Sequence, residues 1–191
     1  MGFGLHCGWA IEGAIGSHYK IDATYMSPHV EMSDRLEAGS KIFGTPINIS
    51  HWLVGLMSRG ARKLLRPMDR ILVSGCETPM TVYTFDVTDF NENFGIAKIG
   101  PDGAQEPVDF MNDPQFRELQ KSLHPEFLET YRNGLKKYIK GSWGEAKKIM
   151  EMCLMLKPND GPTNRILKTM SAHNFKSPGD WKGYVDMGDK Y

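Results

Sequence analysis

The chain has 191 residues, and its 23 basic and 23 acidic side chains give a formal net charge of zero. That length suits one ordinary domain, or one small domain with a tail, and the balanced charge argues against a nucleic-acid binder or a polybasic membrane-surface protein. The three cysteines form no C-x-x-C pair, which indicates a reducing compartment and no disulfide framework. The longest uncharged run, residues 42–58, is too short and too polar to span a membrane, so no membrane insertion is expected.

Short apolar runs alternate with glycine and proline in the first part of the chain, as in a succession of short strands and helices. The runs predict a bent ribbon or two short strands at residues 5–11 and 13–16, followed by a helix at residues 28–43. A brief strand at residues 46–49 and a second helix at residues 51–64 come next. Pro28 suits the first turn of a helix and Gly44 suits its end, while Ser50 suits the N-cap of the second helix.

Two further apolar runs, residues 70–73 and 80–85, are separated by the turn-like stretch 74–79. This spacing predicts a β-hairpin with a longer loop. The order of strand, helix, strand, helix and hairpin indicates the α+β class.

The composition changes near residue 88, which suggests a division into a first unit at 1–88, a polar linker at 89–110 and a helical tail at 111–191. Two apolar stripes at helical spacing predict helices in the tail: Phe127, Tyr131, Leu135 and Tyr138, then Trp143, Ala146, Met150 and Cys153. Ser142 and Glu145 fit a capping box between them, and residues 163–173 predict a third short helix. The pair resembles one helical hairpin of tetratricopeptide type.

No general catalytic motif is present, whether a phosphate-binding GxxxxGK[ST] loop, HExxH or GxSxG. The six histidines are scattered. His18 and His29 are the pair considered as a metal site, but surface or capping histidines are the favoured interpretation and no metal site is predicted. The methionines Met150, Met152 and Met155 are expected to form helix core or a packing face.

One long stretch, residues 5–38, is more informative because it places a glycine-rich ribbon before a helix that begins with Pro28 and continues through Arg35 to Leu36 and Glu37. It resembles the C-terminal half of a class III nucleotidyl cyclase catalytic domain of the protist type. The resemblance continues through residues 46–50, 69–75 and 79–87, and the tail resembles the segment that follows that domain. It implies an α+β fold: the C-terminal half of a ferredoxin-like cyclase domain, followed by an α-helical tail.

The resemblance also assigns site positions. Arg35 matches the family's phosphate-stabilising arginine, and Glu31 stands where the family has a ribose-orienting asparagine; these are the catalytic positions. Thr24 matches the purine-selecting position, and Ser74 stands where a lysine usually binds phosphate; these are the nucleotide-binding positions. The family uses Mg²⁺ or Mn²⁺ on two aspartates that precede this point, so no cofactor is predicted here.

Glu31 is the departure with the clearest physical consequence. A carboxylate at ~4 Å from a phosphate charge, at an effective dielectric of ~20, implies repulsion of up to about 4 kcal/mol. Glu31 also precedes Arg35 by four residues, the favourable order for a helical ion pair. The alternatives are an ordinary surface acid for Glu31, a surface salt bridge for Arg35, and loop or turn roles for Thr24 and Ser74.

Three interpretations follow. The favoured one is a catalytically degenerate cyclase domain, a pseudoenzyme that serves as an obligate structural or interaction subunit with other protein chains. The second is the non-metal-binding half of a heterodimeric nucleotidyl cyclase that makes cyclic nucleotides. The third is a fragment of a longer membrane cyclase, which sequencing of the transcript upstream of Met1 tests. The resemblance suggests a cytoplasmic setting or a cilium.

The obligate assembly is expected because a half-domain leaves open sheet edges and an uncovered apolar face. Ile11, Ile15 and Val73 are expected on that face. Trp143 and the segment 150–155 are expected to form a second contact surface on the tail.

Overall fold

The computed structural model describes residues 2–87, 101–103, 113–121 and 123–188. These residues form an α+β structure with the strands β1 (Phe3–Leu5), β2 (Ile11–Gly16), β3 (Ile21–Met26), β4 (Ile47–Ser50), β5 (Leu65–Leu72), β6 (Met80–Phe85) and β7 (Val185–Asp186). The helices are α1 (Pro28–Phe43), α2 (His51–Leu56), α3 (Arg59–Lys63), α4 (Pro114–Leu119), α5 (Pro125–Ile139), α6 (Trp143–Leu156) and α7 (Gly161–Ser171). None of the described helices has the length and apolar character needed to cross a membrane.

Five strands form one mixed sheet in the order β1-β4-β6-β5-β7. The predicted hairpin is confirmed as the antiparallel pair β5–β6, although β5 begins at Leu65, earlier than expected. β2 and β3 lie outside this sheet and, among the described strands, pair only with each other, in an antiparallel ribbon whose two ends lead to β1 and α1. The linker prediction falls mostly on residues outside the described ranges.

Helix α1 has the predicted bounds because its two end signals are local. The Ser27 side chain caps the first turn by accepting a hydrogen bond from the His29 amide, and Pro28 follows it. Gly44 ends the helix with a φ of 67°, a left-handed conformation that glycine adopts without a Cβ penalty.

The predicted second helix is wrong in one respect: it is two short helices. Ser50 caps α2 as expected, through a hydrogen bond from the Leu53 amide. The chain then becomes extended at Met57, and Ser58 caps α3 by accepting from the Ala61 amide. Serine interrupts a helix readily because its hydroxyl offers the backbone a competing partner.

Hydrophobic clusters lie on both sides of the sheet and within the tail. One cluster joins α1 to β5 and β6, and a second packs α2 against β4 and β6. Val73 belongs to the first cluster and is only 1% exposed, so its predicted place on an uncovered face is wrong. Ile11 and Ile15 are exposed, at 59% and 49%, but they lie on β2, outside the five-stranded sheet on whose face they were expected.

The two apolar stripes of the tail are confirmed as the core between α5, α6 and α7. The capping box is wrong, because the Ser142 side chain makes no capping hydrogen bond. Trp143 and Met150 are buried in this core, while Met152 and Met155 point outward at 49% and 76% exposure. The expected contact surface of the tail is therefore reduced to its two exposed methionines. The tetratricopeptide-type assignment remains a prediction.

The tail packs against the sheet through charged groups that are almost completely buried. The Arg66 guanidinium on β5 donates to both oxygens of Asp86, at 2.6 and 2.7 Å, and to both oxygens of Asp160, at 3.1 and 3.0 Å. Its planar face lies over the Phe127 and Tyr131 rings of α5, at 5.1 and 4.6 Å from their centroids. Asp160 also caps α7, so one cation fixes the sheet and two helices of the tail together.

Arg66→Met is expected to destabilise the protein by about 3–5 kcal/mol, because it leaves Asp86 and Asp160 buried without their main cation. The measurement is urea unfolding followed by circular dichroism. The control is Arg62→Met on the exposed side of α3, which is expected to change stability by no more than about 0.5 kcal/mol. Equal effects of the two substitutions would contradict this account of the interface.

Candidate functional site

Two of the four predicted site residues meet in the structure. The Arg35 guanidinium extends from α1 to the β5–β6 turn, where Nη1 donates to the carbonyl oxygen of Ser74 at 3.0 Å. Arg35 also lies near Cys76, where burial raises the pKa of the thiol and the arginine charge opposes that increase. The contact attaches the turn to the helix.

Glu31 lies apart from this contact. Its side chain is exposed in the first turn of α1, where the unpaired amides of the helix favour an acid. Within the described ranges no ion pair joins Glu31 to Arg35, so the expected helical pair is not formed. The physical reason is that the Arg35 side chain donates to a backbone carbonyl of the turn instead.

Thr24 lies on the ribbon rather than on the body of the protein. It is half-buried on β3 and pairs with Gly13 of β2. No described contact connects it to Arg35, Ser74 or Glu31. The structure therefore brings together Arg35 and Ser74 and leaves the other two predicted positions separate.

A histidine cluster at the base of the ribbon was not identified from the sequence. His6 follows β1 and forms hydrogen bonds through both ring nitrogens, Nδ1 with the Ser50 hydroxyl at 2.8 Å and Nε2 with Nδ1 of His29 at 2.9 Å. The indoles of Trp52 and Trp9 pack edge-on against His6 and His29 respectively. The sequence considered His29 with His18 instead.

The electrostatics of this cluster disfavour added positive charge. Burial lowers the pKa of His6, and the nearby His29 and His51 lower it further. Burial also lowers the pKa of His51, with a smaller contribution from Arg70. The one sequence signal for the cluster is positional, since His6 and His29 stand just before and just after the ribbon.

The Mg²⁺ or Mn²⁺ that the resemblance implies would need paired carboxylates with free oxygens. Asp86 and Asp160 are a close pair, but Arg66 and Lys157 both bind them. Elsewhere in the described ranges, no three histidine, cysteine, aspartate or glutamate side chains are placed to share an ion. Asp86 and Asp160 therefore do not fit this metal pair, because both are already bound by Arg66 and Lys157.

Comparison with known proteins gives one distant similarity. Over 163 residues, 85% of its length, the chain is 22% identical to the Dictyostelium discoideum protein named "Adenylate cyclase, terminal-differentiation specific". The chain spans about 6% of that protein's length. No model of a known protein family matches the chain, and no solved structure matches it. The similarity supports a cyclase-like domain.

Arg35→Ala is expected to cost about 1–3 kcal/mol of stability, because it removes a charged hydrogen bond to the Ser74 carbonyl. Glu31→Ala, on the same helix, is the matched control, and its cost is expected to stay within about 0.5 kcal/mol. Urea unfolding measures both. An equal loss in the two variants would instead indicate the Glu31–Arg35 pair that the sequence suggested.

Proposed function

We propose that the chain is a catalytically degenerate, cyclase-related module that serves as a structural or interaction subunit of a larger protein assembly. The observation that supports this most is the exposed apolar ribbon, defined as residues 11–26. The distant similarity to an adenylate cyclase supports the cyclase-related part of the proposal.

The ribbon has apolar side chains on both of its faces. Its register places Ile11, Ile15 and Met26 on one face and Ile21 and Tyr25 on the other. All five are between 49% and 72% exposed. A two-stranded ribbon is marginally stable in water without a packing partner, and a contiguous exposed apolar surface marks an interface. A partner chain that covers the ribbon would supply the missing burial.

The degenerate part of the proposal is supported by the use that the chain makes of Arg35. Its guanidinium already donates to the Ser74 carbonyl, so a phosphate would have to compete with an internal hydrogen bond. Ser74 offers no positive charge where the family uses lysine. The Glu31 carboxylate, at the start of the same helix, would repel a triphosphate bound there.

Purified chain supplied with Mn²⁺ and either ATP or GTP is expected to form no cyclic nucleotide, because Arg66 and Lys157 already bind the close carboxylate pair Asp86 and Asp160. The double variant Glu31→Asn with Ser74→Lys is expected to stay inactive while gaining weak nucleotide binding, which calorimetry measures. Turnover that is abolished by Arg35→Ala would contradict the proposal and favour the paired-cyclase alternative.

The assembly itself has a separate test by light scattering. The isolated wild-type chain is expected to self-associate above its 21.6 kDa monomer mass through the ribbon, and the double variant Ile11→Lys with Ile15→Lys is expected to shift toward monomer. Leu56→Lys, an exposed residue on α2, is the matched control and should leave the mass unchanged. A soluble wild-type monomer with one cooperative urea transition would count against an obligate subunit.

The cellular setting is part of the same proposal and rests on the resemblance to protist cyclases. We place the assembly in the cytoplasm, with a cilium as the specific site to examine. Fluorescence microscopy of the tagged chain, with the ribbon variant beside it, tests this placement.

A further inference from the structure

The two chain segments that enter and leave the ribbon meet at its base. Residues 6–10 lead from β1 into β2, and residues 27–29 lead from β3 into α1. The hydrogen bond between His6 and His29 joins these segments directly. This hydrogen bond joins the two segments at the base of the ribbon, which the strand pairing of β2 and β3 does not join.

Neighbouring groups fix both rings in place. His6 is held against the body of the protein through the Ser50 hydroxyl, and Ser50 itself caps α2. Gly8 passes so close to the His29 ring that a Cβ at this position would collide with it. Trp9 then packs edge-on against His29 from the same segment. A displacement of the His29 ring would therefore also displace the segment that leads into β2.

We propose that the hydrogen bond between His6 and His29 is a proton-sensitive clamp that holds the base of the ribbon and opens when both imidazoles are protonated. In the neutral pair, one ring N–H donates to the lone pair of the other ring. A single added proton still leaves one donor and one acceptor between the facing nitrogens. A second proton removes the last acceptor and places two positive charges in contact.

The surrounding charges raise the free-energy cost of adding the second proton to the closed pair. Opening the clamp separates the two imidazolium rings and relieves that cost. The groups that face His6 are His29 on α1 and His51 on α2, and Arg70 on β5 in turn faces His51. All of them are neutral or positive, so none compensates an imidazolium at His6. Because the folded pKa of His6 lies below its ordinary 6.5, the folded state binds fewer protons than the unfolded state. The hydrogen bond is therefore complete while His6 is neutral, and it weakens as the pH falls through the lowered pKa of His6.

The clamp acts on the attachment of the ribbon and does not require a bound partner. The test is nuclear magnetic resonance of the full chain, titrated from about pH 8 to about pH 5. The amides of Gly13 and Thr24 in the ribbon are expected to shift together with the His6 ring signals, at a midpoint below 6.5. The amides of Gly134 and Leu135 in α5 are expected to stay in place.

Two glutamine variants separate the clamp from other titrations. His29→Gln keeps a hydrogen-bonding side chain that does not titrate, so the ribbon response is expected to be lost. His18→Gln removes an exposed histidine at the turn of the ribbon, and the response is expected to remain. Circular dichroism tests whether each variant is folded. If His29→Gln does not fold, the wild-type titration alone decides whether the ribbon amides move with the His6 ring signals. Ribbon amides that do not move, or that still move in His29→Gln, would overturn the clamp.

Discussion

The guanidinium of Arg66 is buried between the sheet and the tail, and the way the tail packs on the sheet depends on it. Its two carboxylate partners come from positions 20 and 94 residues away along the chain. Burial works against the charged guanidinium, but the hydrogen bonds and charge of Asp86, together with Asp160, raise its pKa above the ordinary value. An unpaired charge at this depth would cost several kcal/mol, so the sheet, α5 and α7 have to assemble around it together.

The same strand makes further contacts with the tail. The Tyr131 hydroxyl donates to the Met68 carbonyl, and the Asp69 carboxylate lies 3.5 Å from the Arg165 guanidinium. Burial raises the pKa of Asp69 to about 6, while Arg165 opposes that shift. β5 is thus a central strand of the sheet and also the surface on which the tail is seated. Among the residues that the structure describes, nothing comparable anchors the strands of the ribbon, which is why its base matters.

The candidate site brings two of its four predicted residues into one contact. Arg35 still points from α1 toward the β5–β6 turn, where the resemblance expects a phosphate-binding side chain. With serine at that position, the guanidinium donates to the backbone of the turn, and Glu31 is left in solvent. The contact between Arg35 and Ser74 attaches the β5–β6 turn to α1 and so stabilises the body of the protein. The exposed apolar surface lies instead on the ribbon.

The sequence by itself determined the α+β class, the bounds of α1 and the two apolar stripes of the tail, because capping, glycine conformation and helical spacing act within one or two turns of chain. Only the tertiary structure decided that Arg66 pairs with Asp86 and Asp160. The same holds for the hydrogen bond between His6 and His29, and for the hydrogen bond that Arg35 donates to the Ser74 carbonyl in place of an ion pair with Glu31. Each of these contacts joins distant parts of the chain, and a polar side chain shows no local pattern that selects a distant partner. Packing of the apolar faces brings those partners within reach, and burial then makes the pairing obligatory.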